Sequence, residues 1–153
     1  MKKLIPFSLI LALTFLFACS SGKQAYTKGN YYDSVLKAVK RLRQNGNSSK
    51  AKTALSEAYP MAVEYYLSQI QQKRNSSPPF KWEAVLDSYQ KLNRMGNEIE
   101  RSPAALSIIS NPNLYTREIS ENKEKAASAR YDAGRIALER QNRQDAKDAF
   151  YHF

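Results

Sequence analysis

Side chains capable of thiol, imidazole or paired-carboxylate chemistry are few and widely separated in this 153-residue chain. The single cysteine, Cys19, and the single histidine, His152, lie near opposite ends of the sequence. One thiol cannot form a disulfide or a cysteine metal cluster, and a nucleophilic site usually needs a histidine beside the nucleophile. Glu83 and Asp87 have the spacing of a carboxylate pair but no His or further acid nearby, which is more typical of a polar helix face. We therefore expect no enzyme activity, no metal site and no cofactor.

Cys19 lies where it can be modified covalently, directly after an apolar N-terminal segment. Met1–Lys3 is basic, Leu4–Phe17 is almost entirely apolar, and Ala18 is small. This is the layout of a secretory signal with its peptidase site. The apolar run is shorter than the roughly 20 residues that a helix needs to cross a bilayer. The sequence therefore predicts that residues 1–18 are a signal peptide, cleaved between Ala18 and Cys19.

Leu16, Ala18 and Cys19 together resemble the lipobox of bacterial lipoproteins. The resemblance implies that the Cys19 thiol receives a diacylglyceryl group and that Cys19 becomes the first residue, carrying fatty acyl chains such as palmitate. Two chains are enough for stable attachment to a membrane. Ser20, where an Asp would favour retention, indicates the outer membrane facing the periplasm, by analogy with enteric bacteria. We therefore expect the membrane, reached through acylated Cys19, to be one partner.

The charge of the chain indicates a second kind of partner. The formal net charge is +10, and it falls to +8 when Lys2 and Lys3 leave with the signal peptide. A basic surface attracts anionic lipid headgroups, acidic polysaccharide or nucleic acid, although it can also be merely solvated. For a secreted protein we expect no nucleic acid partner. The basic stretches lie around Lys37–Arg43 and Arg135–Arg143.

The remainder of the chain predicts a small polar tether at residues 19–28 and an all-α domain at residues 29–153. Asn30 and Asp33 predict a capping box at the start of the first helix, and Asn45–Asn47 predicts its end. The inner face of this helix is predicted to be Tyr31, Val35, Ala38, Val39 and Leu42.

Turn signals divide the later residues into further helices. A second helix begins at Ser48 or Ser49 and should be kinked or split by Pro60, and a loop covers Lys73–Pro79. The inner residues predicted for the second helix are Ala51, Leu55, Ala58, Ala62, Tyr66 and Ile70.

A third helix runs from Trp82 to about Ile99, and a short one opens at Ser102-Pro103 and continues through Ile109. The inner residues predicted for the third helix are Trp82, Val85, Leu86, Tyr89, Leu92 and Ile99. A long helix from about Thr116 to Gln141 and a last helix follow. Their predicted inner residues are Ile119, Ala126, Ala127, Ala133, Ala137 and Leu138, and then Ala146, Ala149, Phe150 and Phe153.

Small residues near the end of the chain resemble the packing positions of tetratricopeptide repeats. Gly134, Ala146 and Phe150 match the two small residues and the aromatic of one unit, and Gly29 and Ala51 match small positions of earlier units. The resemblance implies antiparallel helix hairpins in a short solenoid; a plain helical bundle is the alternative. Because Phe150 and Phe153 would be uncovered at a solenoid end, we expect the chain to be the N-terminal portion of a longer protein or a truncated reading frame. The stretches Gly29–Asp33 and Phe80–Glu83 also resemble Tyr-rich helical lipoproteins of the Bacteroidota.

Two functions are consistent with these features. The first is a lipid-anchored scaffold that binds other envelope proteins through its helical repeats. The alternative is an envelope lipoprotein that binds acidic glycan or cell-wall polymer through its basic helix faces. We do not expect a small-molecule ligand. Five aromatic residues fall on the apolar stripes, where we expect core packing (Tyr31, Tyr66, Trp82, Tyr89, Tyr131). Tyr32 and Tyr65 fall off the stripes and are candidates for a partner-facing surface.

Overall fold

The computed structural model describes residues 30–139 together with Gln144 and Lys147. Residues 30–139 form helices joined by loops, and this part of the chain contains no strand, so the all-α class is confirmed. The helices are α1 (Tyr31–Gln44), α2 (Ser49–Arg74), α3 (Lys81–Glu100), α4 (Pro103–Leu106) and α5 (Thr116–Glu139).

Helix α1 begins and ends where the sequence predicts. The Asn30 side-chain oxygen accepts a hydrogen bond from the Asp33 backbone N–H at 3.3 Å, and the Asn30 amide donates to the Asp33 carboxylate at 2.7 Å. The first bond satisfies a backbone N–H that the first turn of a helix leaves without a partner, and the second joins the two side chains. At the other end Asn45 is extended, and its side-chain oxygen accepts from the Asn47 N–H at 3.1 Å. The chain therefore turns sharply into α2.

The core lies between α1, α2 and α3. Helix α1 packs on α2 and α2 on α3, α3 packs on α5, and the short α4 contacts α1 and α3. Helix α2 presents a face of alanines to this core, which lets the neighbouring backbones approach closely. The predicted inner faces of the first three helices are confirmed in the main, with Tyr31, Tyr66, Trp82 and Leu86 only half-buried at the edges. The largest fully buried apolar side chains are Leu42, Leu55, Leu92, Met95, Ile99, Val35, Val39 and Val85.

The end predicted for the short helix is wrong, and the helix predicted to be kinked or split at Pro60 is not split. Helix α2 continues through Pro60. The Pro60 side of the helix is exposed while Ala58 and Ala62 on either side of it are buried, so packing holds the helix although one backbone bond is lost. The short helix ends at Leu106 and does not reach Ile109. The N–H groups of Ile108 and Ile109 both donate to the Ala105 carbonyl, so the helical ladder stops advancing there.

Helix α5 lies antiparallel to α3. The Tyr115 N–H, just before α5, donates to the Asn93 side chain at 2.9 Å, and Arg130 of α5 reaches Glu83 in the first turn of α3. Gly96 permits this arrangement, because a Cβ at that position would lie 2.8 Å from the Asn113 carbonyl oxygen. The loop before α5 therefore crosses α3 in direct contact with its backbone.

The second half of α5 departs from the predicted core. Ala126, Gly134 and Ala137 are buried, but Leu138 is 66% exposed and Tyr131 is 60% exposed, so the prediction that they are core residues is wrong. Arg130 is already opposite the start of α3, and α5 continues for nine more residues. Leu138 therefore lies beyond the part of α5 that is opposite α3. Gln144 and Lys147 are helical, whereas the predicted turn and Ala146, Ala149, Phe150 and Phe153 lie outside the described residues.

Candidate interaction surface

The residues predicted to carry the function fall into two groups. Ala18, Cys19, Gly29, Ala146 and Phe150 lie outside the described residues. Of the predicted repeat-packing positions that remain, Ala51 is buried in the first turn of α2 and Gly134 is buried near the end of α5. Each is therefore in an interior position, on helices that are far apart in the sequence.

In the described residues, no set of His, Cys, Asp and Glu side chains is grouped in a way that would hold a metal ion. Within the same residues, no helix combines the length and the apolar character required to cross a membrane.

Glu83, predicted to be solvent-exposed helix polarity, instead joins α3 to α5. Both guanidinium branches of Arg130 pair with the Glu83 carboxylate, one nitrogen to each oxygen. The same guanidinium carbon lies 3.8 Å from the centroid of the Phe80 ring. Asp87 is exposed and pairs with Lys91 one turn later, at 2.8 Å. Each carboxylate therefore pairs with a different cation.

Trp82 lies between two cations at the same end of α3. The Lys81 ammonium is 5.3 Å and the Lys125 ammonium 4.9 Å from the Trp82 ring centroid. The Lys81 ammonium also donates to the Arg74 and Ser76 carbonyls at 2.8 and 3.1 Å, at the end of α2. Cations are stabilising at a helix C-terminus. Lys81 therefore stabilises the C-terminal end of α2 as well as contacting the Trp82 ring.

Four tyrosines form a continuous aromatic cluster where α1 begins. Tyr31 contacts Tyr65 edge-on at 6.3 Å, Tyr32 contacts Tyr66 at 6.2 Å, and Tyr65 contacts Tyr66 at 5.2 Å between ring centroids. Tyr32 and Tyr65 are both predicted to lie off the apolar stripes. Tyr65 is 46% exposed, in agreement with this prediction, whereas Tyr32 is half-buried against the core. Burial raises the pKa of Tyr66, against a smaller lowering by the Lys91 ammonium.

An open apolar groove of about 620 Å³ lies on the outer side of α2. Its floor includes Tyr59, whose hydroxyl oxygen accepts a hydrogen bond from the Asn113 N–H at 3.0 Å. Burial raises the pKa of this hydroxyl, against a smaller lowering by the same hydrogen bond. The groove thus lies between α2 and the loop that crosses α3. The lining residues are Tyr59, Pro60, Val63, Glu64, Leu67, Ser68 and Asn113.

Large apolar side chains are exposed in and near this groove. Leu67 lines it and is 40% exposed, Leu114 follows the lining residue Asn113 and is 43% exposed, and Met61 follows Pro60 and is 39% exposed. The inner stripe of α2 does not include Leu67 or Met61. The sequence analysis missed these positions, and the signal that could have found them is large apolar residues lying off the buried face.

Comparison with protein-family models, with curated proteins and with solved structures finds no match to this chain in any of the three.

Proposed function

We propose that this chain is a lipid-anchored envelope lipoprotein that acts as a helical scaffold for protein–protein interaction. The single observation that carries the scaffold role is the apolar groove on α2, with Leu67 and Leu114 exposed in or beside it. Contiguous exposed apolar surface is typical of a site that another protein covers. The proposed partner is an envelope protein that presents an apolar helix face or extended segment.

The chemistry of the groove favours a partner segment over a small molecule. Its walls are almost entirely apolar, and only Glu64, Ser68 and Asn113 bring polar groups to the rim. A helix that docks by its apolar face needs an open apolar groove to receive it. Pro60, Val63 and Leu67 share one face of α2 and line the groove along the direction of that helix.

Variants in the groove test the scaffold role directly. We expect Leu67→Glu with Ser68→Glu to abolish recovery of the partner in a pull-down from envelope membranes, because each change places a charge on an exposed residue that lines the groove. Gln71→Glu with Gln72→Glu is the matched control, since it adds the same charges to exposed positions on the same helix. Equal recovery with both variants, or no reproducible partner with the parent chain, would contradict the proposal.

The lipid anchor rests on Leu16, Ala18 and Cys19 and is tested separately. We expect mass spectrometry of the mature protein to find Cys19 as the first residue with acyl chains attached. We expect the Cys19→Ala protein to leave the envelope pellet in a carbonate wash. A Cys19→Ala protein that stays in the pellet as the parent does would contradict the anchor but not the groove.

The finer architecture, antiparallel hairpins stacked as in tetratricopeptide repeats, is part of the proposal. It is supported by consecutive long helices that pack in chain order and by the burial of Ala51 and Gly134. In such a repeat Gly134 and Ala146 are in contact, so Gly134→Ala and Ala146→Val should be non-additive in a double-mutant cycle, by about 0.5 kcal/mol or more. Additive effects would favour a plain helical bundle.

A further inference from the structure

The turn between α1 and α2 gathers exposed positive charge without an acidic residue beside it in the sequence. Lys40 and Arg41 lie near the end of α1, and Lys50 and Lys52 lie at the start of α2. All four side chains are exposed. These four residues are called the basic tip.

Among the described residues, no salt bridge involves Lys40, Arg41, Lys50 or Lys52. No acidic residue occurs from residue 34 to residue 56. Helix α4 lies close to the turn, because a Cβ on Gly46 would lie 3.3 Å from the Ala104 Cβ. This helix has no charged side chain. Glu98 of α3 is occupied by Arg43, at 2.7 Å.

Lys50 and Lys52 lie at the N-terminal end of α2. The N-terminal end of a helix carries a partial positive charge, so acidic residues stabilise it and cations weaken it. The first turn of α2 contains no acidic residue and does contain Lys50. The cations of α2 therefore add to the field of the helix end, and an anionic surface outside the chain is what would compensate them.

We propose that the basic tip rests on a layer of anionic lipid headgroups. Clusters of four to eight Lys and Arg beside a membrane attachment point bind anionic lipids, each residue contributing several-fold to the affinity. Residues 33–58 contain no aromatic side chain, so the tip has no ring on which a sugar or a base could stack. Flexible lysines that act by charge alone suit a fluid headgroup layer.

The reach of the chain agrees with this occupant. If the acyl anchor of the proposed function is present, eleven residues from Ser20 to Asn30 join the lipid to α1. An extended tether of this length spans up to about 40 Å. Helix α1 has 14 residues, a length of about 21 Å. The tip can therefore reach the same leaflet that holds Cys19, and contact there would fix how the groove on α2 is presented.

The test uses the unacylated chain from residue 19 to residue 153 with Cys19→Ala, which contains every described residue and does not depend on the anchor. It is sedimented with vesicles of phosphatidylcholine that contain or lack phosphatidylglycerol. We expect binding only to the anionic vesicles, decreasing steeply as salt is added. The variant with Lys40, Arg41, Lys50 and Lys52 all changed to Gln should bind on the order of a hundredfold more weakly.

The control variant changes Arg94, Arg117, Lys123 and Arg135 to Gln. These are exposed cations of α3 and α5, so the change in net charge is the same but the tip is intact. Circular dichroism confirms that both variants are folded. An equal loss with the control would assign binding to net charge and overturn the proposal, as would undiminished binding by the tip variant. In a competition experiment, a soluble uronate polymer or additional anionic vesicles are added to displace the chain from the vesicles. If the polymer displaces the chain at a lower concentration of negative charge than the vesicles do, the tip binds an acidic glycan instead.

Discussion

Two regions of the molecule have similar apolar patterns but different surroundings. One is formed by α1, α2 and α3, and the other is the second half of α5. In the first part Leu42, Leu55 and Leu92 are almost completely buried. In α5 the buried residues are small or polar, and Ile136 and Leu138 are 39% and 66% exposed. Helical spacing decides which side chains share a face, but a face becomes core only where a second helix lies opposite it.

Helix α5 packs on α3 through Ile119 and the Tyr89–Tyr115 ring contact, and further contacts at the edge of the core add to this packing. The Asn93 side chain accepts a hydrogen bond from the Tyr115 N–H, and the Arg130 guanidinium forms an ion pair with Glu83. The Lys125 ammonium lies over the Trp82 ring. Each of these contacts is polar and lies at the edge of the core. Edge contacts orient a helix, whereas buried aliphatic surface supplies most of the free energy of unfolding.

The largest effect should come from truncating a core leucine. We expect Leu55→Ala, at a position with no exposure, to lower the free energy of unfolding by about 2 to 5 kcal/mol, because it leaves a cavity between α1, α2 and α3. Leu138→Ala, in the exposed part of α5, should change it by less than about 0.5 kcal/mol. Urea unfolding followed by circular dichroism measures both. Equal losses would show that the two regions do not differ as described.

Gly96→Ala should have the next largest effect. The added Cβ would lie 2.8 Å from the Asn113 carbonyl oxygen and 2.8 Å from the Leu114 Cδ2 atom. Backbone must therefore move, and we expect a loss of about 1 to 3 kcal/mol, as for other overpacked sites. Gln90→Ala, at an exposed position of the same helix, is the control and should be near neutral. A stabilised Gly96→Ala protein would mean that the loop does not cross α3 there.

Breaking the pair between Glu83 and Arg130 should have a smaller effect. The Glu83 side chain is 38% exposed, so solvent screens the pair and we expect Glu83→Gln to cost about 1 kcal/mol. Asp87→Asn breaks the more exposed pair with Lys91 and should cost about 0.3 kcal/mol. Hydrogen exchange should show faster opening of α5 in Glu83→Gln only. Unchanged exchange would indicate that the pair does not attach α5.

The smallest effect should appear at alkaline pH. Burial raises the pKa values of Tyr59, Tyr66 and Tyr115 above 10.0, and the hydrogen bond to Asp87 raises that of Lys91 above 10.5. In the unfolded chain these groups lose their protons at lower pH than in the folded chain. Their contribution to stability is therefore complete below pH 10 and is lost as the pH rises through the folded-state values.

Urea unfolding at a series of pH values from 9 upward, with phenolate absorbance recorded in parallel, measures this loss. Tyr59→Phe removes one of the titrating groups and should make the decline shallower. A free energy of unfolding that stays constant above pH 10 would contradict the burial of these hydroxyls.

The sequence predicts the ends of a helix well where the interactions that set them join residues only a few positions apart. Asn30 caps α1 because its side chain reaches a backbone N–H three residues away, and Asn45–Asn47 ends the helix by its own turn. Helix α2 is not split at Pro60, because the packing of Ala58 and Ala62 outweighs the loss of one backbone bond, and that packing depends on residues distant in the sequence. The groove could not be predicted, since Asn113 meets Tyr59 across 54 positions of sequence.

The sequence by itself determined the all-α class, the ends of α1 and most of the buried faces of the first three helices. These follow from capping side chains and apolar spacing, which act within a few residues. Only the tertiary structure decided that Glu83 binds Arg130, that Leu138 is exposed and that Leu67 lines a groove. Each of these depends on which distant segment lies opposite a helix face, and that is set by the packing of whole helices.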